Sequence, residues 1–176
     1  RGRPWLSQMA CSFVFMPPLV RPIRRPRPLF DAQTGRCAVG LQAWAFDGGT
    51  EIAASSAAEV VPLPWSDPAC IDPEEALLAA LSSCYMLFFL HICAAAGLVV
   101  EHYRDEARAR LIADGAGRPH VGAIRLRPEV RFVTPVDPAE VEALHAQAHE
   151  RCFIAASLRS TVRIEPQPAA GVLRGG

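Results

Sequence analysis

The chain has 176 residues, of which 51% are apolar and 20% charged, enough for one ordinary domain with a buried core and too apolar for a disordered polymer. Its formal charge is zero, yet lysine is absent, all eighteen basic residues are arginine, and residues 1–30 hold six of them with no acid. The rest carries twelve arginines against eighteen acids, a net −6, which argues against a nucleic-acid-binding body with its basic footprint.

Residues 1–30 read as an irregular extension. A short apolar run, Met9–Phe15, is broken by Pro17-Pro18 and followed by Arg-Pro-Ile-Arg-Arg-Pro-Arg-Pro. A secretory signal needs its charge before the apolar stretch, and here most of the arginine follows it. The segment is expected to be a polyproline-like arm or sequence translated upstream of the true start, with residues 31–176 as a single domain. Six cysteines (Cys11, Cys37, Cys70, Cys84, Cys93, Cys152) could pair in many ways. With no export signal they are expected to be mostly reduced, in the cytoplasm.

Leu41–Phe46 and Glu51–Ala54 flank Asp47-Gly48-Gly49-Thr50, a hairpin signal because glycine accepts the positive φ of such turns. Pro62, Pro64 and Pro68 make residues 60–70 a loop. Asp72-Pro73-Glu74-Glu75 then opens a helix: Asp72 to cap, Pro73 at the first position, Glu75 to complete a capping box. Gly97 should end it, about 36 Å later at 1.5 Å per residue. Its apolar residues surround the axis (Leu77, Leu81, Tyr85, Phe88, Phe89, Ile92). Such a helix must be enclosed on all sides, which predicts a partner subunit. Ser82, Ser83, Cys84 and His91 interrupt its apolar run, favouring a buried helix over a membrane span.

Val99–Ile112 and Val121–Val133 read as long antiparallel strands around Asp114-Gly115-Ala116-Gly117. Asp137-Pro138-Ala139-Glu140 repeats the cap logic and starts a second helix with Val141, Leu144 and Ala148 on one stripe. A short helix over residues 152–158 and a strand over residues 161–164 follow. The order β-β-α-β-β-α-β predicts the α+β class, with helices on a curved antiparallel sheet.

Cys84 lies mid-way along the apolar helix, where a thiol has a raised pKa unless a cation is brought to it. Cys152 follows His149-Glu150-Arg151. The run Asp72-Pro73-Glu74-Glu75-Ala76-Leu77-Leu78-Ala79-Ala80-Leu81-Ser82-Ser83-Cys84 resembles the motif of the OsmC/Ohr family, and Ala148-His149-Glu150-Arg151-Cys152-Phe153-Ile154-Ala155 resembles its second cysteine site. Trp44-Ala45-Phe46-Asp47-Gly48-Gly49 and Ser66-Asp67-Pro68 are similar to one branch of that family.

The resemblance implies an intertwined homodimer built around the long central helix, acting as a thiol peroxidase on organic hydroperoxides. It implies that Cys84 attacks the peroxide and that Cys152 resolves the product as a disulfide, later reduced by a dithiol or a lipoylated protein. It matches Glu74 to a glutamate that pairs with a thiolate-holding arginine. Ten helical residues separate Glu74 from Cys84 by about 15 Å, so Glu74 is expected to serve the partner's site. For the arginine, Arg36 is the one candidate between residues 28 and 103. Tyr85, Met86, Phe88 and Phe89 would favour organic hydroperoxides.

Two other readings come from the residues. One is a non-catalytic dimer of this fold binding a small apolar ligand. The other is a helix-borne metal module using His145, His149 and Cys152, whose histidines share a face at i, i+4. His91 reads as a core or interface histidine, and Cys37, Cys70, Cys93 and Tyr103 as structural. No cofactor, metal, nucleic-acid or membrane partner is expected.

Overall fold

The computed structural model describes residues 30, 31, 36, 37 and 42–168. The residues expected to form the arginine-rich arm, save Phe30 at its end, lie outside the described residues. The chain divides into two compact units, Arg1–Pro73 and Glu74–Gly176.

In the first unit, β1 (Phe30–Asp31) and β2 (Arg36–Cys37) form a short antiparallel pair. β3 (Gln42–Ala45) and β4 (Glu51–Ala54) form the expected hairpin, Trp44 opposite Ile52. Gly49 turns it with φ +84°, a conformation that residues with a Cβ rarely adopt. The proline loop that follows is tied back to β4. Buried Ser55 accepts the Asp67 N–H on its hydroxyl at 2.9 Å, and its own N–H donates to the Ile71 carbonyl at 3.0 Å.

The second unit is organised by α1 (Pro73–Ala95), which starts at the predicted proline. Its end is a glycine cap. Gly97 takes φ +75° while its N–H reaches the Ala94 carbonyl and the Leu98 N–H reaches that of Cys93, satisfying two orphan acceptors. Of the helix surface, one stripe is buried: Leu81, Tyr85, Phe89, Ile92 and Cys93. The opposite side is open, with Leu87 61% exposed and His91 exposed. Among the described residues α1 alone is long and apolar enough to cross a membrane, and here its buried stripe forms the centre of a core.

The two long strands are broken into segments. β5 (Val100–Asp105) pairs antiparallel with β9 (Pro128–Phe132), and β6 (Leu111–Ala113) pairs with β7 (Pro119–Val121). An isolated Arg108↔Arg125 bridge links the two pairs. A register shift between Val100 and His102 marks one irregularity. At Gly122 an added Cβ would stand 3.0 Å from the Ile112 side chain and 3.2 Å from the Arg110 carbonyl, a close approach of the two strands. Asp114 closes the turn by accepting the Ala116 and Arg118 N–H groups, each at 2.9 Å.

β8 (Ile124–Leu126) pairs in parallel with β10 (Val162–Ile164), not antiparallel as the element order suggested. Parallel neighbours need a long crossover. It is supplied by α2 (Pro138–Arg151) and α3 (Phe153–Ser157). Asp137 caps α2 as its sequence predicted, accepting the Ala139 N–H at 2.8 Å. The core joins the α1 stripe to Ile124 and Leu126 of β8, Leu144 and Ala148 of α2, and Cys152.

Candidate functional site

Cys84 and Cys152 come together where α1 meets the junction of α2 and α3. Cys152 is fully buried and Cys84 half-buried, and both are free thiols. Cys152 has extended backbone (φ −70°, ψ 108°) between the two helices. Its sulfur caps the second of them by accepting the Ala155 N–H at 3.5 Å. Burial pushes the Cys152 thiol up to about 11, the Ala155 amide offsets part of this, and the neighbouring Cys84 raises it further through a side-chain hydrogen bond and its charge. Burial therefore favours the protonated form of Cys152, whose sulfur is within hydrogen-bonding reach of the Cys84 sulfur. Phe88, one turn beyond Cys84, meets Phe153 edge to face at 5.1 Å between centroids. These two rings form an apolar rim on the sulfur side.

Next to the thiols, Tyr85 and His145 meet at 2.6 Å between the phenol oxygen and Nδ1. Both are sealed, with Tyr85 0% and His145 5% exposed. Burial holds His145 down to about 4, so the ring is neutral, and burial first of all holds the Tyr85 hydroxyl in its protonated form. A neutral imidazole and a protonated phenol make this a neutral hydrogen bond between the hydroxyl and Nδ1. Phe89 stacks on the same imidazole at 4.4 Å. A second polar link fastens α1 to the strands: Ser82 donates to Asp105 at 2.6 Å, and Asp105 also accepts the Arg127 N–H at 2.6 Å.

Sequence reasoning named the two cysteines from a family motif and did not connect Tyr85 with His145. The signal was present. His145 stands four residues after Val141 and three before Ala148, inside the apolar stripe of α2, and a histidine and a tyrosine that are both buried must find polar partners. Tyr85 and Phe89, expected beside the substrate, instead face the core, leaving Phe88 and Phe153 near the thiol. His145 is committed to Tyr85, and among the described residues no cluster of three His, Cys, Asp or Glu side chains is placed to hold a metal ion. The metal-module reading has no donor set there. His91 is exposed rather than a core residue. Cys93 is in the core, its thiol pushed up to about 11 by burial.

Glu74 sits at the start of α1, on the same uninterrupted helix as Cys84. The backbone of Arg36, in β2, pairs with Asp31 of β1, and its side chain lies outside the described residues. Arg104, Arg108, Arg118, Arg125, Arg127 and Arg131 are engaged with carboxylates. Pro138, Val141, His145, His149 and Ile164 line a cavity of about 430 Å³ between α2 and β10.

A family model for OsmC-like proteins matches residues 66–167, a span that includes both thiols and the helices carrying them. The chain belongs to the OsmC-like family. An OsmC-like protein of unknown function from Vibrio cholerae is 40% identical, with a TM-score of 0.76 over 82% of this chain and 96% of that one. An organic hydroperoxide resistance protein from Legionella pneumophila shares the fold at 18% identity and TM-score 0.58, covering 73% of this chain and 89% of that one. The organic hydroperoxide resistance protein OhrB of Bacillus subtilis does so at 16% and 0.58, covering 88% and 98%. No curated protein matches the sequence. The α+β OsmC-like fold expected from the two motifs is thus borne out.

Proposed function

We propose that this OsmC-like protein is a thiol peroxidase for organic hydroperoxides, and the observation that carries the reading is the Cys84–Cys152 contact at the α1–α2–α3 junction. The Cys84 thiolate attacks the outer oxygen of R–O–OH and the O–O bond breaks. The alkoxide leaves and takes a proton as the alcohol, and Cys84 becomes a sulfenic acid. The Cys152 thiol then attacks that sulfur; its proton and the sulfenic hydroxyl depart as water, and a disulfide remains. A small dithiol or a lipoylated protein returns both thiols and is itself oxidised to a disulfide. The half-exposed Cys84 and the fully buried Cys152 suit these roles, since the sulfur that meets substrate is the accessible one. The Phe88–Phe153 rim favours an alkyl substituent over water-like peroxides.

A homodimer completes the site in this reading. Leu87 and His91 on the open side of α1 would be covered by a second copy. Arg36 would supply the positive charge that holds the Cys84 thiolate, and Glu74 of the partner subunit would pair with that arginine. The cytoplasm supplies the reducing setting. A non-catalytic dimer holding a small apolar ligand is the second reading, favoured by the cavity beside His145 and His149.

The experiment is mass measurement under non-reducing conditions after one equivalent of an alkyl hydroperoxide. The peroxidase reading expects loss of two hydrogens through a Cys84–Cys152 bond, abolished in Cys84→Ser. An intact mass with the hydroperoxide unconsumed would reject it in favour of the ligand-binding dimer.

A further inference from the structure

Consecutive residues of α1 grip the α2–α3 segment at two different points. Cys84 meets Cys152, and Tyr85 meets His145 two helical turns earlier. The two grips differ in kind. The thiol contact has the Phe88–Phe153 pair at its edge, with Phe153 68% exposed, and apolar contacts of this sort permit sliding. The Tyr85–His145 bond is short and directional, and it is enclosed by Phe89. Breaking it strands a hydroxyl and an imidazole in an apolar interior, which costs more than the bond itself contributes.

We infer that the Tyr85–His145 hydrogen bond is a positioning contact for the dithiol. It holds α2 in one register against α1, so that the approach of the two sulfurs is taken up at Cys152 and α3. Closing the dithiol brings two non-bonded sulfurs to about 2.05 Å, an inward movement of 1–2 Å in order of magnitude. The backbone supplies one evident place to absorb it, the extended Cys152 residue between α2 and the five-residue α3. If α2 were free to shift as well, Cys152 would sample many separations and closure would lose its effective concentration. In this account Tyr85 and His145 act through the helix that carries Cys152. The inference rests on the dithiol of the proposed function, not on its peroxide chemistry.

The test places the full chain in a glutathione redox buffer and reads the Cys84–Cys152 disulfide by mass after acid quenching and alkylation. Closure transfers two electrons to glutathione disulfide, giving two glutathione thiols. Tyr85→Phe is expected to lower the closure constant about tenfold, and His145→Ala by a similar factor. The double variant should lose no more than either single change, because both remove one bond. An unchanged constant in a Tyr85→Phe protein that is folded by circular dichroism overturns the inference, and so do losses that multiply in the double variant. Should Tyr85→Phe not fold, His145→Asn, which keeps a side-chain acceptor, decides. Closure near the wild-type value supports the positioning role, and the full tenfold loss overturns it. Hydroperoxide plays no part in this measurement. A chain that closes normally in glutathione yet ignores alkyl hydroperoxides would remove the peroxidase reading alone.

Discussion

The two sides of the α1–α2 contact are built from similar residues and used differently. On one side Tyr85, Phe89 and His145 are sealed, stacked and hydrogen-bonded. On the other, Cys84, Phe88, Cys152 and Phe153 combine a buried thiol with a half-buried one and an exposed ring. Aromatic content alone does not separate them. What separates them is that the first side is sealed around one short hydrogen bond, while the second keeps a half-buried thiol beside an exposed ring. In the proposed function the closed hydrogen bond is the fixed reference and the dithiol the place for reaction.

The comparison breaks most sharply if Phe89→Ala and Phe153→Ala cost the same. Phe89 is fully buried at the centre of the stripe, so its truncation should lower unfolding free energy by about 3–5 kcal/mol in urea titration. The pH dependence sharpens the sealed side next. The folded state holds His145 at about 4 against an ordinary 6.5, because burial disfavours its charge. The unfolded chain therefore binds more protons between those values. The stability that His145 contributes is complete above pH 6.5 and drains away as pH falls towards 4, by roughly 3 kcal/mol in all. Subtracting the unfolding free energy of His145→Gln at each pH isolates this contribution; a flat difference would mean the imidazole is solvated. The smallest effect belongs to the open side. Phe153→Ala should cost below about 1 kcal/mol in the same titration, since most of that ring already meets water.

Local signals were legible and distant pairings were not. The start of α1 at Pro73, its stop at Gly97, the Asp137 cap and the Gly49 turn each follow from a few adjacent residues whose conformational needs are nearly independent of the rest. The parallel placement of β10 depends on β8, some forty residues earlier, and on the crossover between them, so alternation within residues 161–164 carries no trace of it. Gly122 shows the same limit: the tight space around it comes from Arg110 and Ile112 across the ladder. At the site, Cys84 and Cys152 were paired through a family resemblance, because no spacing argument joins two helices. Tyr85 was read as part of a greasy seam because its hydroxyl is invisible to hydrophobic periodicity. Its partner emerged only once the register of α2 was known.

The parallel β8–β10 pair also has a consequence for the chain as it is being made. Among the described residues β8 gains its only strand partner, β10, with residues 162–164, so β8 is made first with that edge unfilled. The ribosome delivers Cys84 long before Cys152, an interval of about 3–14 s at ordinary elongation rates. Throughout that time the nascent polypeptide presents a thiol whose sulfur neighbour has not yet been synthesised.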